Sequence, residues 1–458
     1  MNKLFQTLFY GGAVLLLSGC LSPTPPTLPS PPKEEQHIEP WWTEFHDESL
    51  NQLVTAALHE NLTLQSAQQR VLQAYATLHV KEAANLPSVT LSSTATLQDE
   101  IKGVNAQSEA YKATLSASYE ADLFGARSHA IDAQKASYLA SYEAMQVSGI
   151  SLVAELSNAW YTLAYKKESL ALLEEQFDVA YKMLALTRLK HQSGTNSITD
   201  VWQQEQYIKN LEAQKITLQG DIQTQIRALN LLLGRSVLTD LPQTQNARLI
   251  TIPPQPEVGI AATKLLHRPD VKQAFYTLKS ANEALGEAVA NQYPTLNLSL
   301  SSIAGSSHFS TLLDTIIGSA VASLSGTIFD AGAKEAQVKK SLFSANEYAL
   351  AYKATLLEAF SEVQDALEAE KTQTQYLNHL DQRVHFAKII YERQKAKYAY
   401  GIETYLSVLN AQQSLQELEQ TRLLKRLNLI SERIALHRAL AGGLFYYDVK
   451  QAWRDYEN

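Results

Sequence analysis

The chain has 458 residues, of which 45% are hydrophobic and 19% charged, and its formal net charge is −8. That balance excludes a broad nucleic-acid-binding face, and a composition rich in alanine, leucine, glutamine, glutamate and lysine favours long helices over disorder. A single cysteine, Cys20, excludes an internal disulfide framework and a multi-cysteine metal site.

Lys3 supplies a positive charge, Leu4 to Leu17 form an apolar core, and Leu17-Ser18-Gly19-Cys20 follows. Residues 1–19 are too short for a mature membrane helix and read as a secretory signal ending in a lipobox. The segment resembles bacterial lipoprotein signals. That resemblance implies that Cys20 is the first mature residue and carries diacylglycerol and an N-acyl chain, while Leu21 beside it implies sorting to the outer membrane. An ordinary signal peptide with an incidental cysteine is the alternative. Residues 20–40 carry prolines at 23, 25, 26, 29, 31, 32 and 40 and form a tether that enters neither helix nor central strand.

Trp41 and Trp42 open the folded part. From Ser49 to Leu86 an apolar stripe at helical spacing runs through Leu50, Leu53, Val54, Ala57, Leu64 and Val71, and Pro87 stops it. The period then changes from 3.6 to 2. Tyr111, Ala113, Leu115, Ala117, Tyr119, Ala121 and Leu123 alternate with Lys112, Thr114, Ser116, Ser118, Glu120 and Asp122. A hairpin over about 88–123 is expected, with Gln98 to Ala110 as its loop, one face suited to lipid and the other to water. A second hairpin over about 295–329 repeats the device: Leu296, Leu298 and Leu300 alternate with Asn297, Ser299 and Ser301, and Ala320, Ala322, Leu324 and Ile328 with Ser319, Ser323, Ser325 and Thr327. Strands of this length cross a bilayer when tilted, but four of them cannot satisfy their edges in lipid, so other copies of the chain must complete a barrel. A soluble sheet with one wet face is the alternative.

Two proline-free helical runs follow the hairpins, Ala126 to Gln192 and Ala333 to Tyr400, each about 100 Å long if continuous. Leu170, Leu173, Phe177, Ala180 and Leu184 keep a coiled-coil seam, as do Ile208, Leu211, Leu218, Ile222, Leu229 and Leu232, with Lys215 and Gln225 interrupting the second. Turns at Gly194 and Gly401 lead into helices Ser197 to Leu233 and Thr404 to Leu440, which stop at Gly234 and at Gly442-Gly443. Gly194 and Gly401 lie 207 positions apart, and so do Pro87 and Pro294, Gly125 and Gly332, Val201 and Val408, and Leu233 and Leu440. The chain is therefore one unit written twice. Repeat 1 spans 41–250, residues 235–256 connect the repeats, repeat 2 spans 257–443, and residues 444–458 form a tail expected to join the connector in a girdle.

Catalytic signatures are missing: there is no G-x-S-x-G, P-loop, H-E-x-x-H or dinucleotide fingerprint, and the eleven histidines are scattered. No enzymatic activity, metal or cofactor is expected beyond the lipid on Cys20. Glu120 and Asp122 imitate an acid/base pair but read as lumen-facing acids that hydrate a channel and favour cations, or as salt-bridge partners at the barrel base.

The stretches WWTEFHDESLNQLVTAALHENLTLQSA, SYEADLFG, LLHRPDVKQA, YPTLNLSL, IFDAG, EVQDALEAE, YLSVLNAQQSL and RALAGG, in this order, resemble the TolC-type outer-membrane factors, in particular their lipidated OprM-like branch. The resemblance implies an α+β fold. Three chains would form a twelve-stranded outer-membrane barrel continued by a periplasmic helical barrel with a mixed α/β equatorial girdle. It implies a homotrimer working with a periplasmic adaptor and an inner-membrane pump, RND type favoured, to export drugs and toxic compounds. A protein-secretion duct of the same architecture and a lipid-anchored coiled-coil scaffold without a pore are the competing readings. The turns Gly194-Thr195 and Gly401-Ile402 become adaptor-docking tips. The family constriction of leucine, aspartate and arginine falls on Leu406, Asn410 and Gln413, so two charged positions are neutral in this chain, and Asp200 and Glu403 are the nearby acids.

Overall fold

The computed structural model describes residues 40–98, 108–254, 265–440 and 447–457; Cys20, the signal and the tether lie outside them, as do Gly442 and Gly443. In order, the elements are α1 (Glu48–Glu60), α2 (Leu62–Ala84), β1 (Ser88–Gln98), β2 (Ser108–Ala121), α3 (Ala126–Gln192), α4 (Ile198–Leu232), α5 (Pro269–Ala290), β3 (Thr295–Ser306), β4 (Ile316–Ser325), α6 (Ala333–Ala399), α7 (Tyr405–Ala439) and α8 (Val449–Glu457). Helices α3 and α6 have 67 residues each and α4 and α7 have 35 each, and both pairs keep the 207-residue interval.

The chain divides into two compact units. One comprises Val71–Ser141 and Gln273–Ala354. It holds a four-stranded antiparallel sheet in the order β1-β2-β3-β4, and Leu285 and Ala288 of α5 pack with Val338 of α6. Three expectations fail at strand ends. The strands enter the stretch expected as the loop from Gln98 to Ala110, β1 through Gln98 and β2 from Ser108. Strand β4 stops at Ser325, leaving Thr327 and Ile328 outside it, and β2 stops at Ala121, leaving Asp122 and Leu123 outside it.

The other unit comprises the described residues up to Arg70, Tyr142–Lys272 and those from Thr355 onward. One core of this unit joins Leu173, Ala180 and Leu184 of α3 to Ile208 and Leu211 of α4, Tyr391 and Tyr398 of α6, and Tyr405 and Val408 of α7. The interruptions of the α4 seam are links to α3. Lys215 pairs with Glu174 at 3.0 Å, and Gln225 Nε2 donates to the Ala159 carbonyl at 2.9 Å.

The helix expected from Ser49 to Leu86 is broken at Asn61. Its Oδ1 accepts from Leu64 N at 2.8 Å, capping α2, while its Nδ2 donates to the Leu232 carbonyl at 2.8 Å, fixing the break to the end of α4. Gly234 follows at φ +69°, where a Cβ would strike the Glu60 carbonyl, and Arg235 closes the contact on Glu60.

The connector is strapped to the helices through its backbone. Lys167 donates to the Thr244 carbonyl, and Leu249 N donates to Glu168 at 2.7 Å. Arg433, 2% exposed, donates to the Pro253 carbonyl at 2.9 Å and holds Glu370 with two hydrogen bonds of 2.9 and 2.6 Å.

Candidate functional site

The sheet is built in layers. Thr90, Ser116, Ser301 and Ser319 pair in register across all four strands, and the next row is Val89, Ala117, Leu300 and Ala320. Since successive side chains point to opposite faces, these rows define a polar and an apolar face. Hydroxyl contacts bridge the polar rows, Thr90 to Ser116 at 2.8 Å and Ser301 to Ser319 at 2.7 Å. Leu91, Leu115, Leu298 and Leu300 of the apolar face are 40–75% exposed. Aromatic pairs flank this band: Tyr111 meets Phe309 edge-on at 5.7 Å, and Phe124 stacks on Tyr293 at 4.7 Å. Strands of 10 to 14 residues with aromatic residues at both ends match a tilted membrane crossing. Among the described residues no helix is long and apolar enough to cross a membrane.

Glu120 and Asp122 part company. Glu120 pairs with Arg127 at 3.1 Å, the salt-bridge option. Asp122, expected on the lumen face, instead caps α3: one oxygen accepts from Arg127 N at 3.0 Å, the other from Ser128 N at 2.8 Å and Ser128 Oγ at 2.6 Å. A free helix start attracts a carboxylate more strongly than an exposed strand position does.

Both glycine turns have one geometry. Gly194 and Gly401 sit at φ +73° and +75°. Thr195 N donates to the Lys190 carbonyl and Ile402 N to the Lys397 carbonyl, each at 2.9 Å, so Schellman motifs end α3 and α6. Ser197 and Thr404 then cap α4 and α7. Gly194, Thr195, Gly401 and Ile402 are exposed.

Leu406, Asn410 and Gln413 form one exposed stripe of α7 at i, i+4 and i+7. Asp200 lies in the first turn of α4. It is half-buried, which raises its carboxyl above the usual range, and it accepts from Asn196 Nδ2 at 2.9 Å. Glu403 accepts from Thr404 N at 3.1 Å, a bond that helps to hold its carboxyl below the usual range.

The sequence reading missed two links that join the helical hairpin formed by α3 and α4 to the helical hairpin formed by α6 and α7. Asn196 Nδ2 also donates to Tyr398 OH, whose ionisation burial pushes up to about 12. Tyr405 OH donates to Gln204 Oε1 at 2.6 Å, and Gln204 Nε2 donates to the Ala180 carbonyl at 2.7 Å. The tyrosines flanking Gly401 were the available signal. No group of three or more potential metal ligands occurs among the described residues.

A family model described as outer membrane efflux protein matches residues 53–235 and 262–442, once in each repeat. Pyoverdine export outer membrane protein OpmQ of Pseudomonas putida is 28% identical over 450 residues, 94% of this chain and 96% of that protein. Probable outer membrane lipoprotein SilC of Salmonella typhimurium is 26% identical over 453 residues, 94% of this chain and 97% of that protein. A crystal structure of CusC superposes with a TM-score of 0.84 at 25% identity, covering 92% of this chain and all of that one.

Proposed function

Because the chain belongs to the outer membrane efflux protein family, we infer that it is the outer-membrane exit duct of a tripartite efflux system, passing small molecules outward without chemistry of its own. The observation that carries this reading is the open sheet. Strands β1 and β4 have no strand on their outer edges among the described residues, and in lipid such edges must be closed by other strands. Three copies supply twelve. Helix α6 supports the same assembly, because Leu357, Phe360, Phe386 and Ile390 are 51–71% exposed and need covering by another copy.

In this reading a periplasmic adaptor engages the turns at Gly194-Thr195 and Gly401-Ile402, and an inner-membrane pump, RND type favoured, delivers the cargo. Acylated Cys20 adds a lipid anchor in the outer membrane; similarity to a probable outer membrane lipoprotein supports it. Heat-resistant trimers that give unitary current steps in planar bilayers are the expected result. Monomers without conductance would return the chain to the scaffold reading.

The closed gate rests on Leu406 packing and on Asn410 and Gln413 amides from three copies, with no charge repulsion to relieve. Closure should then change little between about pH 4 and about pH 7, the range in which carboxylates and histidines titrate. A strong pH dependence that persists in trimers carrying both Asp200→Asn and Glu403→Gln would refute the neutral gate.

A further inference from the structure

The two hairpins share a backbone but not their closing contacts. In the first, Lys215 of α4 pairs with Glu174 of α3 at 3.0 Å, and Arg188 of α3 pairs with Glu205 of α4 at 2.6 Å, closer to the turn. In the second, 207 positions on, Arg422 pairs with Asp381 at 2.5 Å, reproducing the first link. The second link is missing. Lys395 stands for Arg188 and turns to Glu392 on its own helix, and Gln412 stands for Glu205.

Gln412 does not merely lack that partner. It is 1% exposed, between Val408 and Leu415 on the buried seam of α7, and neither its Nε2 nor its Oε1 has a hydrogen-bond partner among the described residues. Tyr391 OH and Tyr207 OH, in the core that contains Val408 and Leu415, are unpaired as well. A polar side chain at one seam position of a helix bundle lowers stability, and a buried amide without partners loses its hydration uncompensated.

We propose that Gln412 is a positioning residue for the gate: its unpaired amide destabilises the seating of α7 in the closed core and so eases the movement of the stripe bearing Leu406, Asn410 and Gln413. The proposal rests on the exit-duct reading of this site. It differs from the neutral-gate reading because Gln412 faces the core and not the stripe.

The test replaces Gln412 by methionine, which keeps length and volume but removes both polar atoms. Full-length Gln412→Met trimers should melt above wild type and open about tenfold less often in planar bilayers, the scale set by one buried unsatisfied group. Glu205→Met, at the same position of the first hairpin, should change opening less than about twofold, since an exposed ion pair contributes little. Unchanged or lower melting of Gln412→Met overturns the proposal and points to an amide held by a stabilising partner such as bound water. Equal effects of the two substitutions on opening overturn it too. If wild-type trimers carry no current, the exit-duct reading fails, and the melting comparison still decides whether the amide destabilises the core.

Discussion

Replacing Arg433 by methionine leaves the Glu370 carboxylate, whose side chain is 7% exposed, without its counter-charge, and leaves the Pro253 and Pro254 carbonyls without a donor. Breaking a buried ion pair by removing one partner destabilises by about 3–5 kcal/mol, chiefly through the charge left behind. In Arg433→Met/Glu370→Met that charge is gone, and the remaining loss is the two carbonyl contacts, about 1–2 kcal/mol. The double variant should therefore be more stable than Arg433→Met alone by about 2–3 kcal/mol, and Glu370→Met, which strands the buried Arg433 charge, completes the double-mutant cycle. Urea unfolding followed by circular dichroism measures this, at one fixed protomer concentration because assembly contributes to stability. Limited proteolysis supplies a second readout, since freeing Pro253 and Pro254 should expose the connector to cleavage in both variants. An Arg433→Met loss below about 1 kcal/mol, or a double variant worse than either single one, would refute the account of Arg433 as the compensating charge.

A Cβ on Gly286 would lie 2.7 Å from two atoms of the His129 ring, which contacts Glu283 at 2.8 Å. Gly286→Ala should lower the melting temperature through about 1–3 kcal/mol of overpacking, and His129→Ala in the same chain should recover most of it. Asn61→Ala should destabilise by about 1–2 kcal/mol in urea, whereas Asn61→Asp, which keeps the acceptor for Leu64 N but loses the donor to Leu232, should fall in between. Burial raises the Asp200 carboxyl, so the folded state binds its proton more tightly than the unfolded chain; stability from this group is full below the unfolded value and lost as pH rises through the folded one. The melting difference between wild type and Asp200→Asn should accordingly shift against wild type as pH rises out of the ordinary carboxylate range, and a constant difference would refute the assignment. Gly194→Ala and Gly401→Ala meet no atom within 4 Å, so each should cost only the left-handed strain of about 1–2 kcal/mol and the two should melt alike. Unequal transport by two equally stable variants would then report docking or gating.

The parts legible in the sequence are those written as a period. Alternation from Tyr111 onward shows a two-faced strand because the pleat sends neighbouring side chains to opposite sides, and the 207-residue interval survives because both repeats keep helix lengths of 67 and 35. The same signals misled where a period outran its element. Alternation continues through Asp122 and Leu123, yet the start of α3 takes the Asp122 carboxylate, and the apolar stripe of α1 continues into α2 although Asn61 breaks the helix between them.

What stayed hidden depends on partners far away in sequence. Asn61 breaks the helix partly because the Leu232 carbonyl, 171 residues on, receives its amide, and Gln204 is ordered by Tyr405, 201 residues on. No local window contains both members of such a pair. A repeat comparison narrows the search, because it shows where the two halves use different chemistry at one backbone position. Glu205 against Gln412 is a half-exposed ion pair in one hairpin and a buried unpaired amide in the other. One backbone position written twice thus carries a link between two helices in the first half and an amide without a partner among the described residues in the second.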